Sequence, residues 1–152
     1  MIRSVLFVCL GNICRSPAAE GIFRDMVAAK GLDIRVDSAG TSDWHVGDPP
    51  YGPMQAAAKA RGADLSALRG RQVTAEDFRR FDLIVAMDTD NRANLLRLRP
   101  DEGAPVRLLL DFAPETATEA VPDPYYTRDF EGALDLIEAG CRGLVTSIKA
   151  GG

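Results

Sequence analysis

The chain has 152 residues, 46% hydrophobic and 26% charged, with a net charge of −4 at neutral pH; that fits one globular domain over residues 1–152 and excludes long disorder. The negative balance argues against nucleic acid as a partner. Three cysteines and one histidine give no disulfide framework and too few ligands for a zinc site, so no metal and a reducing, cytoplasmic compartment are expected.

"RSVLFVCL", residues 3–10, is rich in apolar and β-branched residues and is bounded by Gly11 and Asn12. It reads as a strand buried on both faces, the central one of its sheet. Its apolar part is too short to span a membrane, and it fails as a signal peptide because polar Gly11, Asn12 and Arg15 interrupt it. Ser16 can cap a helix whose first position suits Pro17 and whose apolar face carries Ala19, Ile22, Phe23, Met26 and Val27. Gly31 ends it. "LDIRVDSAG" gives a second strand, with Leu32, Ile34 and Val36 alternating, and residues 41–53 read as loop from their glycines and prolines.

"MQAAAKARG" is a helix stopped by Gly62, and Thr74 with Asp77 resembles a capping box that starts another. "FDLIVAM" is a third buried strand, followed by a helix over residues 88–98 with Leu95 and Leu98 on one face. "VRLLL" is a fourth strand. Phe130, Leu134, Ile137, Cys141, Leu144 and Ile148 recur at helical spacing and predict a long last helix, with Cys141 in its core stripe. Strands alternating with helices imply a four-stranded parallel twisted sheet with helices on both faces, a Rossmann-like or flavodoxin-like α/β domain. Ligands bind such sheets beyond the carboxyl ends of the strands, where Cys9 sits.

A strand, a glycine-containing loop and a helix start can turn successive backbone N–H groups of Leu10, Gly11, Asn12, Ile13 and Cys14 into one concavity, to which the helix dipole adds positive potential. Such a concavity binds anions. A thiol at its lip should have a lowered pKa, because the same donors stabilise the thiolate. Arg15 supplies a planar fork for two phosphate oxygens, and Ser16 can donate a hydrogen bond to the thiolate as it leaves.

Asp123 lies between Pro122 and Pro124, which limits how far its carboxyl can swing. On its own an aspartate in such a turn is turn chemistry. Tyr125 and Tyr126 could pack the last helix or face a cleft; Trp44, the one Trp, sits in a Gly/Pro-rich loop where exposure at a cleft is as natural as burial. His45, without a partner of its own kind, is read as a structural residue.

Taken together these stretches resemble the low-molecular-weight protein tyrosine phosphatases. "VLFVCLGNICRSPAAEGIF", "DSAGTSDWHVG", "DFRRFDLIVAMDTDN" and "VPDPYYTRDFEGALDLIEAGCRGL" match four segments of that family in order, across essentially the whole chain. The resemblance implies hydrolysis of phosphotyrosine monoesters through a phosphocysteine on Cys9, without metal or organic cofactor. Arg15 would bind the phosphoryl oxygens, Ser16 would assist the thiolate, and Asn12, helped by a hydrogen bond from Ser38, would hold the loop in its strained shape. Asp123 would be general acid and then base, a role that asks for a pKa above the unperturbed value of about 3.9. Trp44, Tyr125 and Tyr126 would wall the cleft around an aromatic ring, and Cys14 would form a reversible disulfide with an oxidised Cys9. The expected partner is a tyrosine-phosphorylated protein, for bacterial relatives often a tyrosine kinase, with no nucleic acid and no membrane; the chain itself would be a monomer or weak dimer.

Three other readings fit less well. Thioredoxin-coupled arsenate reductases share the Cys-x5-Arg loop but need two later cysteines, and only Cys141 remains here. Protein-arginine phosphatases carry Thr where this chain has Ile13, which favours phosphotyrosine. A catalytically dead phosphotyrosine-binding module would not keep Cys9, Arg15 and Asp123 together. One departure from the family stands out: many relatives have Asp-Pro-Arg where this chain has Tyr51-Gly52-Pro53, which puts the anchoring of the Trp44 loop in question.

Overall fold

Six apolar or small residues in a row leave β1 (Ser4–Cys9) no face to give to water, and every one of them is buried. β2 (Arg35–Gly40) and β3 (Leu83–Ala86) pair with it on either side, and β4 (Val106–Leu108) pairs with β3, all parallel, in the order β2-β1-β3-β4. The computed structural model, which describes residues 1–151, thus has the expected four-stranded parallel sheet with β1 inside it.

The two-residue period of β1 divides the core. Val5 and Phe7 face α1 (Arg15–Ala29) and α6 (Phe130–Lys149), where Phe7 meets Phe23 edge-on at 5.4 Å and Leu134, Ile137, Cys141 and Leu144 complete the layer. Leu6 and Val8 face the other way, against Phe78, Ile84 and Leu95, the last from α4 (Thr89–Leu98). Burying side chains of this size stabilises by about 1.5–3 kcal/mol each. Both layers therefore clamp β1 and fix the point at which its end, Cys9, emerges.

The remaining elements differ from the expectation in instructive ways. α1 begins at Arg15 with Cys14 as its cap residue, and no side chain caps it; Ser16 lies inside the helix and its hydroxyl turns to Cys9. β2 starts at Arg35, so Leu32 and Ile34 precede it and pack half-buried against the core. α2 (Gly52–Ala60) takes in Gly52 and Pro53. α3 (Asp77–Arg80) is one turn, and at its start the Asp77 carboxylate accepts from the Thr74 amide at 2.8 Å, one half of the expected capping box, and from both terminal nitrogens of Arg71 at 3.0 Å.

On α4, Asp88 caps the Asn91 amide at 2.7 Å and Leu95 is buried, but Leu98 is exposed rather than on the buried face. β4 stops at Leu108: the Asp111 carboxylate accepts from the Leu108 amide at 3.2 Å and turns Leu109–Phe112 into a 3-10 helix. A short helix, α5 (Pro124–Thr127), was not anticipated. Among the described residues no helix is long and apolar enough to cross a membrane.

Candidate active site

Parallel pairing brings the carboxyl ends of the strands to one edge, and the loop from Cys9 to Arg15 starts there. Its carbonyls are taken up by neighbouring segments: Cys9 O accepts from Thr41 N at 2.9 Å, Leu10 O from Ser42 N at 3.0 Å, and Ile13 O from Tyr51 N at 2.8 Å. Since C=O and the following N–H point oppositely across a trans peptide, the amides of Leu10, Gly11 and Cys14 are turned away from those segments. Gly40 makes the fit possible, because a Cβ there would stand 2.9 Å from Leu10 O.

Asn12 holds the loop in its turn with φ of 56°, a left-handed conformation that asparagine tolerates better than most residues and that still costs of order 1 kcal/mol. Its side chain offsets that cost with three bonds. Nδ2 donates to Ser16 Oγ at 2.8 Å and to Ser38 Oγ at 3.0 Å, and Oδ1 accepts from the Arg71 amide at 3.0 Å. The Ser38 hydroxyl donates to Glu20 Oε1 at 2.7 Å, so its oxygen is free to accept from Asn12. Burial pushes the Glu20 carboxyl above its ordinary range, against the pull of Ser38 and Arg24. Ser16 likewise accepts from Asn12, which leaves its proton for Cys9 Sγ, 3.1 Å away, with Ala39 O more distant at 3.4 Å.

Arg15 is 2% exposed. One terminal nitrogen donates to Asp88 Oδ2 at 2.7 Å and to Val121 O at 2.9 Å; the other faces Asp123 Oδ2 at 3.4 Å. Burial works against the guanidinium charge, but Cys9, Asp88 and Asp123 outweigh it and hold its pKa above the ordinary value. Its Nε is buried with no protein partner. Asp123 caps α5, accepting from the Tyr125 amide at 3.1 Å, and its segment is tied to the end of β3 by Val121 N donating to Met87 O at 2.9 Å.

Between these groups lies a cleft of ≈ 180 Å³. Cys9, Leu10, Gly11, Ile13 and Cys14 form its floor, and Trp44, Asp123, Tyr125 and Tyr126 stand around it. Asn12, Arg15, Ser16 and Ser38 lie behind the floor, none more than 4% exposed. All the residues singled out in the sequence for a site therefore come together.

His45 also lines the cleft, with its ring carbon 3.1 Å from where a Cβ on Gly11 would sit, and it pairs through Nδ1 with Asp48 Oδ2 at 3.1 Å. Asp88, Glu20 and Arg71 were not anticipated at all. For Asp88 a signal existed, since it follows the apolar run "LIVAM" and so falls at the same strand edge as Cys9. Cys14 is buried, and burial first, with the charges of Cys9 and Asp123, pushes its thiol up to about 12. Cys141 lies in the core beneath α1, and burial pushes its thiol up as well.

Residues 4–151 match the sequence model of the low molecular weight phosphotyrosine protein phosphatases. The chain is 45% identical over 149 residues to the low molecular weight protein-tyrosine-phosphatase YfkJ of Bacillus subtilis, covering 96% of each chain. The crystal structure of YfkJ superimposes with a TM-score of 0.94 at 44% identity, covering 99% of this chain and 96% of that one. A protein tyrosine phosphatase from Entamoeba histolytica, crystallised with Hepes in its active site, gives a TM-score of 0.92 at 37% identity over 97% of both chains. The Drosophila arginine phosphatase gives 0.89 at 35% identity over 98% of both. With matches of this extent, and with a cysteine, an arginine and an aspartate gathered at one strand edge, the chain belongs to the low molecular weight phosphotyrosine protein phosphatase family.

Proposed function

We propose that this phosphatase transfers the phosphoryl group of phosphotyrosine to Cys9, with Arg15 as its anchor and Asp123 as general acid and then base. The observation that carries the reading is that Cys9 and Asp123 line one cleft, with the Ser16 hydroxyl 3.1 Å from Cys9 Sγ and the Arg15 guanidinium 3.4 Å from Asp123 behind its floor. The Cys9 thiolate attacks phosphorus, an S–P bond forms and the aryl P–O bond breaks, while the Asp123 carboxyl gives its proton to the departing phenol oxygen. Water then attacks phosphorus and passes a proton back to Asp123. The S–P bond breaks, inorganic phosphate leaves, and Ser16 steadies the returning thiolate. Arg15 Nε, buried without a protein partner, keeps a donor that suits an equatorial phosphoryl oxygen.

Trp44, Tyr125 and Tyr126 surround the substrate ring, and Ile13 at the floor favours an aromatic ester over phosphoarginine. The natural substrate is a tyrosine-phosphorylated protein, a bacterial tyrosine kinase among them, and the three free cysteines suit a reducing, cytoplasmic setting. Steady-state kinetics on phosphotyrosine, phosphoserine and phosphoarginine peptides tests this: phosphotyrosine should lead in kcat/KM by about 100-fold or more. Faster turnover of phosphoarginine would transfer the chain to the arginine-phosphatase branch.

Cys14 adds a redox role to the same floor. Peroxide oxidises Cys9 to the sulfenic acid, Cys14 sulfur attacks that sulfur, and the disulfide forms as water leaves. The negative charge of Cys9 is one cause of the raised Cys14 pKa, so conversion of Cys9 to a neutral sulfenic acid makes Cys14 easier to ionise when it is needed. Peptide mass mapping after mild peroxide should find Cys9 joined to Cys14; sulfinic Cys9 beside a free Cys14 would exclude the protective role.

A further inference from the structure

We propose that Tyr51 is a positioning residue that fastens the segment bearing Asp123 to the phosphate loop. The inference rests on the reading of Asp123 as the acid. Tyr51 touches both halves of the site. Its amide donates to Ile13 O at 2.8 Å, and its ring lies 5.1 Å from that of Tyr125 and 6.2 Å from that of Phe130.

Arg128 closes the arrangement from the far end of α5. Its Nη1 donates to the Tyr51 hydroxyl at 3.0 Å and to Tyr125 O at 3.3 Å, and its guanidinium stands 5.3 Å from the Tyr51 ring centre and 5.2 Å from that of Phe130. To reach there, Arg128 adopts φ of 64°, ending α5 in the left-handed region. A cation over two aromatic faces is attracted by both rings.

α5 needs this support. It has four residues, too few for a helix to persist alone, and Tyr125 and Tyr126 are 42% and 68% exposed. Asp123 caps it through the Tyr125 amide, so a rotation of α5 carries the carboxyl and both tyrosines together. At its start it is held by Val121 on Met87; at its end it is held by Tyr51 and Arg128. A proton donor displaced by about 1 Å can lose of order 100-fold in its step. Because Tyr51 also bonds the loop that carries Cys9, it sets the distance between nucleophile and acid.

The test uses Tyr51→Ala, with Tyr51→Phe keeping the ring contacts and losing only the Arg128 bond. In Tyr51→Ala, kcat/KM for phenyl phosphate should fall about 10- to 100-fold and that for 2,4-dinitrophenyl phosphate, which needs little protonation, less than about 3-fold. Tyr51→Phe should recover most of the loss. Hydrogen exchange of residues 123–128 should quicken by about 10-fold or more while that of residues 10–18 holds. Unchanged exchange in residues 123–128, or an equal loss on both esters, overturns the proposal. Asp123→Ala run alongside separates the two claims: if it shows no leaving-group dependence, the acid assignment fails, and the exchange data still decide whether Tyr51 anchors α5.

Discussion

Cys9→Ser should turn over p-nitrophenyl phosphate more slowly than the native chain by about 10⁴-fold or more, the scale on which removal of an enzyme nucleophile acts. A serine hydroxyl sheds its proton far less readily than a thiol, and the floor is arranged to donate to an anion already formed. Among the described residues Ser16 is the side chain hydrogen-bonded to Cys9 Sγ, at 3.1 Å, and its hydroxyl suits an anion better than an alcohol that must lose a proton. Binding of inorganic phosphate, measured by calorimetry, should stay within about 3-fold, because Arg15 and the Asn12 bonds are untouched. Residual turnover within about 10-fold of the native rate would remove Cys9 from the nucleophile's role. Loss of phosphate binding would mean that the loop itself depends on the sulfur.

Asp123→Ala should lower kcat/KM for phenyl phosphate by about 10²–10⁴-fold, the usual worth of a placed general acid. For 2,4-dinitrophenyl phosphate, whose phenolate leaves unaided, the loss should be less than about 10-fold. The same substitution removes the carboxylate 3.4 Å from Arg15, leaving Asp88 and the Val121 carbonyl as its remaining protein partners. A dianion then meets less repulsion at the cleft, so inorganic phosphate should inhibit the variant at equal or lower concentration than the native chain. A uniform loss on both esters would show that Asp123 binds rather than protonates.

The parts of this site that could be read from the sequence are those whose chemistry is local. Cys9 through Ser16 lie within eight consecutive residues, and the strand before them is apolar enough to locate the loop at a sheet edge. Asp123, Trp44 and the two tyrosines are distant in sequence, and only the family resemblance assigned them to the cleft. Glu20 and Arg71 escaped both routes. Each acts through a partner, Ser38 for Glu20 and Asn12 for the Arg71 amide, and such pairings exist only once the chain has folded.

The fold divides in the same way. β1, α1 and α6 carry long apolar patterns, and their existence follows from burial alone. α5 has no period to detect in four residues, and its ends are set by the Asp123 cap and by Arg128 reaching Tyr51. The early end of β4 depends on one carboxylate, Asp111, taking the Leu108 amide, which hydrophobicity cannot reveal.

The cleft combines a floor that water scarcely reaches with a rim that is largely open, and the two differ in how they tolerate change. Substitutions behind the floor strand buried donors and acceptors, at a cost of about 1–3 kcal/mol each. Trp44 and Tyr126 are 66% and 68% exposed, and surface changes of that kind usually stay within about 0.5 kcal/mol. Selection can therefore redraw the rim, residue by residue, while the reacting groups stay where they are.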